Sequence, residues 1–129
     1  MKVAQLYDIP RVGGEDVWIP VRDHMGIRAF GVNAWHGAKV GDEVIEDHDE
    51  QESDATGGHE ELYLVLRGRA TFTVDGTDVD APAGTLLLVA PHERRVALAA
   101  EDDTSVLVIG ATPGEAFTPS EWELRELSR

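Results

Sequence analysis

The stretch His59-Glu60-Glu61-Leu62-Tyr63-Leu64-Val65-Leu66-Arg67-Gly68-Arg69-Ala70-Thr71-Phe72-Thr73-Val74-Asp75-Gly76 decides the fold. Its first part separates into Glu61/Tyr63/Val65/Arg67 and Leu62/Leu64/Leu66, two sets that a strand places on opposite faces. The leucines form one apolar face. Gly68 interrupts, and Ala70/Phe72/Val74 then alternate with Arg69/Thr71/Thr73 as far as Asp75-Gly76, a dipeptide suited to a tight type I′ turn. The stretch predicts a strand, a turn, a second strand and a hairpin, with its acids gathered at one end.

Glu61, six residues, then Gly68 and the hairpin resemble the end of the first motif of the cupin superfamily. That motif runs Gly, five residues, His-x-His, three or four residues, Glu, six residues, Gly. The second motif runs Gly, five residues, Pro-x-Gly, two residues, His, three residues, Asn. The resemblance extends from Phe30 to Ile109. It implies an all-β fold: a single-domain, cupin-type antiparallel β-barrel (jelly roll) over residues 1–129. The barrel core covers about 29–110, with an N-terminal strand or arm over 1–28 and a tail over 111–129 that carries a short C-terminal helix. In metal-binding members the three His and the Glu hold one divalent ion inside the barrel.

The sequence departs from this pattern at the ligands. Counted back from Glu61, the two His positions of the first motif fall on Ala55 and Gly57, or on Asp54 and Thr56, none of which offers an imidazole. Counted forward from Gly41, His48 comes one residue late and Glu50 stands where the second His belongs, with a loop inserted before Glu61. This second register places the insertion in a hairpin connection, where added length costs little. It yields His48, Glu50 and Glu61, with His59 on the strand face of Glu61. Ala81-Pro82-Ala83-Gly84 and the strand after it resemble the opening of the second motif. The count from Gly84 puts Arg95 at the family's His, or Arg94 if one loop residue is deleted, and His92 lies nearby out of register. A guanidinium is always protonated and does not bind a cation.

Composition bounds the function. A chain of 129 residues suffices for one core. The net charge of -14 disfavours nucleic acid and anionic membrane surfaces as partners. The longest apolar runs, such as Thr85 to Ala90, are far too short to cross a bilayer. There is no cysteine, so packing alone must hold the fold, and a reducing cytoplasm suits it. The first residues lack the basic, apolar and small-residue succession of a secretory signal. A cytoplasmic protein is expected.

Outside the central stretch, Lys2 to Tyr7 predicts a short strand, ended by Pro10. Phe30/Val32/Ala34 alternate as in a half-buried strand, and Trp35 at its end either lines a pocket or packs in the core. Val44/Glu46/His48/Glu50 share a face if that segment is extended, and residues 51–58 predict a loop. Thr104 to Ile109 suits a strand buried on both faces. Ser120-Glu121-Trp122-Glu123 fits a capping box and predicts a helix over Glu121 to Leu127.

Two classes of function follow. In the first, the barrel binds a small, anionic organic molecule, with a degenerate or absent metal site. His48, His59, Glu61, Tyr63, Trp35 and Arg94 or Arg95 line its pocket. The arginine clamps a carboxylate or enolate, or pairs internally with Glu61. In the second, the protein is a metal-dependent enzyme of dioxygenase or isomerase type. His48, Glu50 and Glu61, with His59 or His92, then hold iron, manganese, nickel or zinc. The resemblance also implies a homodimer.

Overall fold

The computed structural model describes residues 1–12, 16–51 and 58–129, so most of the loop predicted over 51–58 lies outside the described residues. The central stretch forms β4 (Glu60–Arg67) and β5 (Arg69–Val74), but the two strands do not pair with each other. One sheet has the order β1-β2-β9-β4-β7, with β1 (Trp18–Ile19), β2 (Gly31–Gly37), β7 (Leu86–Val89) and β9 (Thr104–Ala111). The other has the order β3-β8-β5-β6, with β3 (Glu43–His48), β6 (Thr77–Pro82) and β8 (Arg95–Ala99). Every pairing is antiparallel, and the architecture is the two-sheet jelly roll, in which neither sheet closes on itself.

Gly68 carries the chain from the first sheet to the second rather than closing a hairpin. Its φ is +74°, and a Cβ there would lie 2.5 Å from Thr104 Oγ1 and 2.9 Å from Thr104 Cα. Both the backbone conformation and the space require glycine. The predicted hairpin at Asp75-Gly76 is present between β5 and β6, with φ of 47° and 80° at the two residues, as a type I′ turn demands.

The alternation of β4 resolves with Tyr63 and Val65 inward, where they join Phe72, Ala97, Val106 and Val108 between the sheets. Leu62, Leu64 and Leu66 lie on the opposite, outer face of the five-stranded sheet. There Leu62 is opposite Leu88 and Ile109, and Leu64 is opposite Leu86 and Leu107. Toward β1 and β2 this outer face is covered by the chain itself: Leu6 and Ile9 pack with Ile19, Ala34 and Val21. The strand predicted over Lys2 to Tyr7 is instead irregular, ending in a 3-10 turn at Leu6–Asp8. A single turn brings Leu6 and Ile9 to the same side, whereas Pro10 has no N–H to extend a ladder.

Two short helices complete the chain. α1 (Val21–Met25) follows Pro20 and stops at Gly26, which takes the left-handed C-cap conformation with φ +73°. α2 (Glu121–Leu127) lies where the sequence places it, but Ser120 makes no side-chain cap bond. The capping box is not formed, because Glu123 turns inward to accept from Asn33 and Arg22. No helix among the described residues is long and apolar enough to cross a membrane.

Substitution Gly68→Ala should lower stability by at least about 1 kcal/mol, since the left-handed strain adds to a backbone clash. Gly76→Ala has the same kind of φ but nothing within 4 Å of its added Cβ, and should cost less. Urea denaturation of the two variants measures the difference; equal losses would mean that the contact with Thr104 is irrelevant.

Candidate functional site

A cavity of about 280 Å³ opens between the two sheets. Its walls follow from strand alternation. The inward row Gly31, Gly110, Glu61, Val89 crosses β2, β9, β4 and β7, and the next inward row is Asn33, Val108, Tyr63, Leu87. The opposing sheet contributes Ile45, Glu46 and His48 from β3, with Glu50 just beyond. In β3 the register shifts twice, between Glu43 and Ile45 and between Ile45 and His48. Val44 and Ile45 are therefore both buried, yet Glu46, His48 and Glu50 all reach the cavity.

His48, Glu50 and Glu61 offer ligand atoms that all lie within 4.8 Å of one another. His48 Nδ1 is 2.6 Å from the carbonyl oxygen of Glu46, which can only accept, so Nδ1 carries a proton. Nε2 is then aimed at two carboxylates, 3.0 Å from Glu50 Oε2 and 3.6 Å from Glu61 Oε1. A bare nitrogen lone pair between two carboxylates is repulsive. Either a proton or a cation must sit there.

Without a cation, the proton is held firmly. Burial works against the charge on His48, but hydrogen bonds to Glu50 and Glu61 outweigh it and push the pKa up to about 10. Burial also raises the Glu50 carboxyl, and there it prevails over the hydrogen bond from His48. At Glu61 burial loses: hydrogen bonds from His48 and Tyr63, and the charges of His48 and Arg95, hold its carboxyl below the usual range. Tyr63 donates to Glu61 Oε1 at 2.7 Å and, pushed up by burial and by Glu61, stays a phenol.

The remaining predicted residues divide. His59 is buried beside the cavity: its backbone N–H donates to Glu50 Oε1 at 3.3 Å, Nδ1 lies 3.8 Å from the same oxygen, and Nε2 donates to the Thr118 carbonyl at 3.2 Å. Trp35 both lines the cavity and packs, with ring centroids 6.3 Å from Trp18 and 5.8 Å from Trp122. Arg95 is fully buried, with Nη1 at 4.0 Å from Glu61 Oε1, and does not line the cavity. Arg94 points to the outside and pairs with Asp47 at 2.8 Å. His92 is exposed and stands outside the cluster. Sequence reasoning missed Gly31, Asn33, Gly110, Phe117 and Glu123 as wall residues. A strand glycine at 31 or 110 was the available signal, since it marks a close approach.

Solved structures with the same architecture are known. A cupin protein from Bacteroides fragilis superposes with a TM-score of 0.63 at 25% identity, over 92% of this chain and 96% of its own. The chain belongs to the cupin superfamily. An RmlC-like cupin protein from Desulfovibrio desulfuricans gives a TM-score of 0.63 at 23% identity, over 84% of this chain and 95% of its own. A sugar phosphate isomerase of the cupin superfamily from Silicibacter pomeroyi gives 0.58 at 19%, over 74% of this chain and 59% of its own. No family model matches the sequence, and no curated protein matches it. In this chain His48 and Glu61 face each other across the barrel, Glu50 stands within reach of His48, and Arg95 is buried beside Glu61.

The proton on His48 fixes a pH dependence in chelator-treated protein. The folded pKa of about 10 exceeds the ordinary 6.5, so the charge stabilises fully below pH 6.5. That contribution is lost as the pH rises through 10. The melting temperature of the parent should therefore fall further between pH 7 and pH 10 than that of His48→Asn, as calorimetry would show; parallel curves would contradict the ion pair.

Proposed function

We propose that this cupin binds a small organic molecule over a divalent metal ion held by His48, Glu50 and Glu61. The observation that carries the reading is the aim of His48 Nε2 at both carboxylates while Nδ1–H is held by a backbone carbonyl. A metal-bound histidine is fixed in this way, with its second nitrogen donating to an oxygen acceptor. One imidazole and two carboxylates suit iron, manganese, nickel or zinc, and three protein donors leave positions free for a ligand. When bound, such an ion polarises a ligand oxygen or lowers the pKa of a water.

The protein's own residues complete the site. Tyr63 holds Glu61 from below, and the His59 backbone N–H holds Glu50. His59 is the available fourth donor, because it lines the cavity with Nδ1 near Glu50, whereas His92 is exposed outside it. Elemental analysis of untagged protein prepared without chelator should find close to one transition-metal ion per chain. The double substitution His48→Ala, Glu61→Ala should abolish it. Metal far below one per chain, and not restored by added iron, manganese, nickel or zinc, would leave a metal-free binding cavity as the function.

We further infer a cytoplasmic homodimer. The absence of cysteine and the net charge of -14 support a reducing aqueous compartment. Leu66, Leu86, Leu88 and Ile109 stay exposed on the outer face of the five-stranded sheet, which the chain itself covers only toward β1 and β2. A second copy presenting the same leucines covers both faces at once, as a two-fold interface requires. Light scattering should report a dimer for the parent and a monomer for Leu86→Asp, Leu88→Asp. A monomeric parent would overturn this.

A further inference from the structure

Arg95 stands behind the carboxylates of the cavity and is 0% exposed. Its guanidinium stays charged at any pH at which the protein is folded. Nη2 donates to the Ala90 carbonyl at 2.8 Å, while Nε and Nη1 have no hydrogen-bond partner among the described residues. The acid beside it, Glu61, is 4.0 Å from Nη1, and the same Glu61 oxygen already receives Tyr63 at 2.7 Å.

The other elements packed on Arg95 bring no second carboxylate within ion-pair distance among the described residues. Opposite it stand His48 on β3 and Val74 on β5. Glu93 spends Oε1 on the Ala90 N–H, and Arg94 turns away to Asp47. Glu123 is taken up by Arg22 and Asn33, and Glu46 and Arg125 are exposed, where water and salt screen them. Glu61 is thus the one acid that both Arg95 and a bound ion would draw on.

The charge count then depends on the ion. A divalent ion on His48, Glu50 and Glu61 leaves the ligand set neutral, since the two carboxylates cancel it. A trivalent ion leaves one positive charge there, facing the buried positive charge of Arg95. Between the sheets that repulsion is screened far less than at a surface. Two carboxylates by themselves attract a trivalent ion more strongly than a divalent one, so the ligands do not supply this discrimination.

We propose that Arg95 is a specificity-determining residue that restricts the site to divalent ions and, where the metal is iron, to the ferrous state. It is not itself a ligand and acts through the charge it places behind Glu61. This rests on the metal site proposed above.

Zinc and gallium(III) are redox-inert probes of the two charges. Each is titrated from a citrate buffer and its uptake read by elemental analysis of the desalted protein. Arg95→Met keeps a long side chain and removes the charge. It should raise the affinity for gallium(III) relative to that for zinc at least tenfold, whereas a merely structural role for Arg95 would change both affinities alike. An unchanged ratio in protein that loads zinc overturns the proposal and leaves the metal site standing. So does a parent protein that gives up its zinc to an equimolar amount of gallium(III). Failure of the parent to load zinc overturns both. Arg95→Gln, which also removes the charge, takes the place of Arg95→Met should that variant not fold; should neither fold, the exchange of zinc for gallium(III) on the parent decides.

Discussion

Four ionisable side chains, His48, Glu50, Glu61 and Arg95, share the space between the two sheets, and the rest of the barrel is arranged to make that possible. Burying any one of them alone would cost several kcal/mol. They are tolerable because each stands within 4.0 Å of another of opposite charge. Tyr63 contributes a neutral donor to Glu61, and the Glu46 carbonyl removes the choice of tautomer at His48. The arrangement is satisfied at His48 and Glu61 but not at Arg95, two of whose nitrogens are unpaired. Partial satisfaction of a buried polar network is costly for stability, and a binding site is where such a cost is characteristically found.

Neither sheet closes on itself, and the C-terminal segment packs against β1, β2 and α1 beside the cavity. Phe117 packs on Gly31, where a Cβ would come within 3.0 Å of its ring. Glu123 accepts from Asn33 Nδ2 at 2.6 Å and from Arg22 of α1. Trp122 packs edge-on against Trp18 at 5.1 Å and against Trp35. Each contact falls on β1, β2 or α1, so a segment distant in sequence becomes one wall of the cavity. The helix is held by tertiary packing more than by its own capping, as expected for seven residues.

Local rules made the strands legible and long-range register hid the site. Alternation in β4 and β5 and the Asp75-Gly76 turn are properties of a few consecutive residues, and they are present as read. That Glu61 and His48 face the cavity was legible because β4 alternates regularly and a residue count from Gly41 reaches His48. Gly68 was read as a turn, but whether a turn returns to the same sheet depends on which strands lie beside it. Glu123 suggested a cap because Ser120 stands three residues before it; a buried partner from α1 won the competition. Between Arg94 and Arg95 the decision rests on pairing: Arg95 is opposite His48 on β3 and Val74 on β5, so the alternation sends Arg95 inward and Arg94 out to Asp47. No window of sequence contains that information.

The cavity itself follows from side chains that are missing. In the inward row that crosses the five-stranded sheet, Gly31 and Gly110 stand directly beside Glu61. A Cβ on Gly110 would meet the Glu60 carbonyl at 2.9 Å and Glu61 Cγ at 3.1 Å. The Glu61 carboxylate can therefore lie over β9 only because position 110 presents bare backbone. One row deeper, Asn33, Val108 and Tyr63 restore full-sized side chains and form the floor. A jelly-roll sandwich is otherwise packed solid between its sheets. Two glycines in one row, with the acid beside them, are what open a cavity at this end of the core.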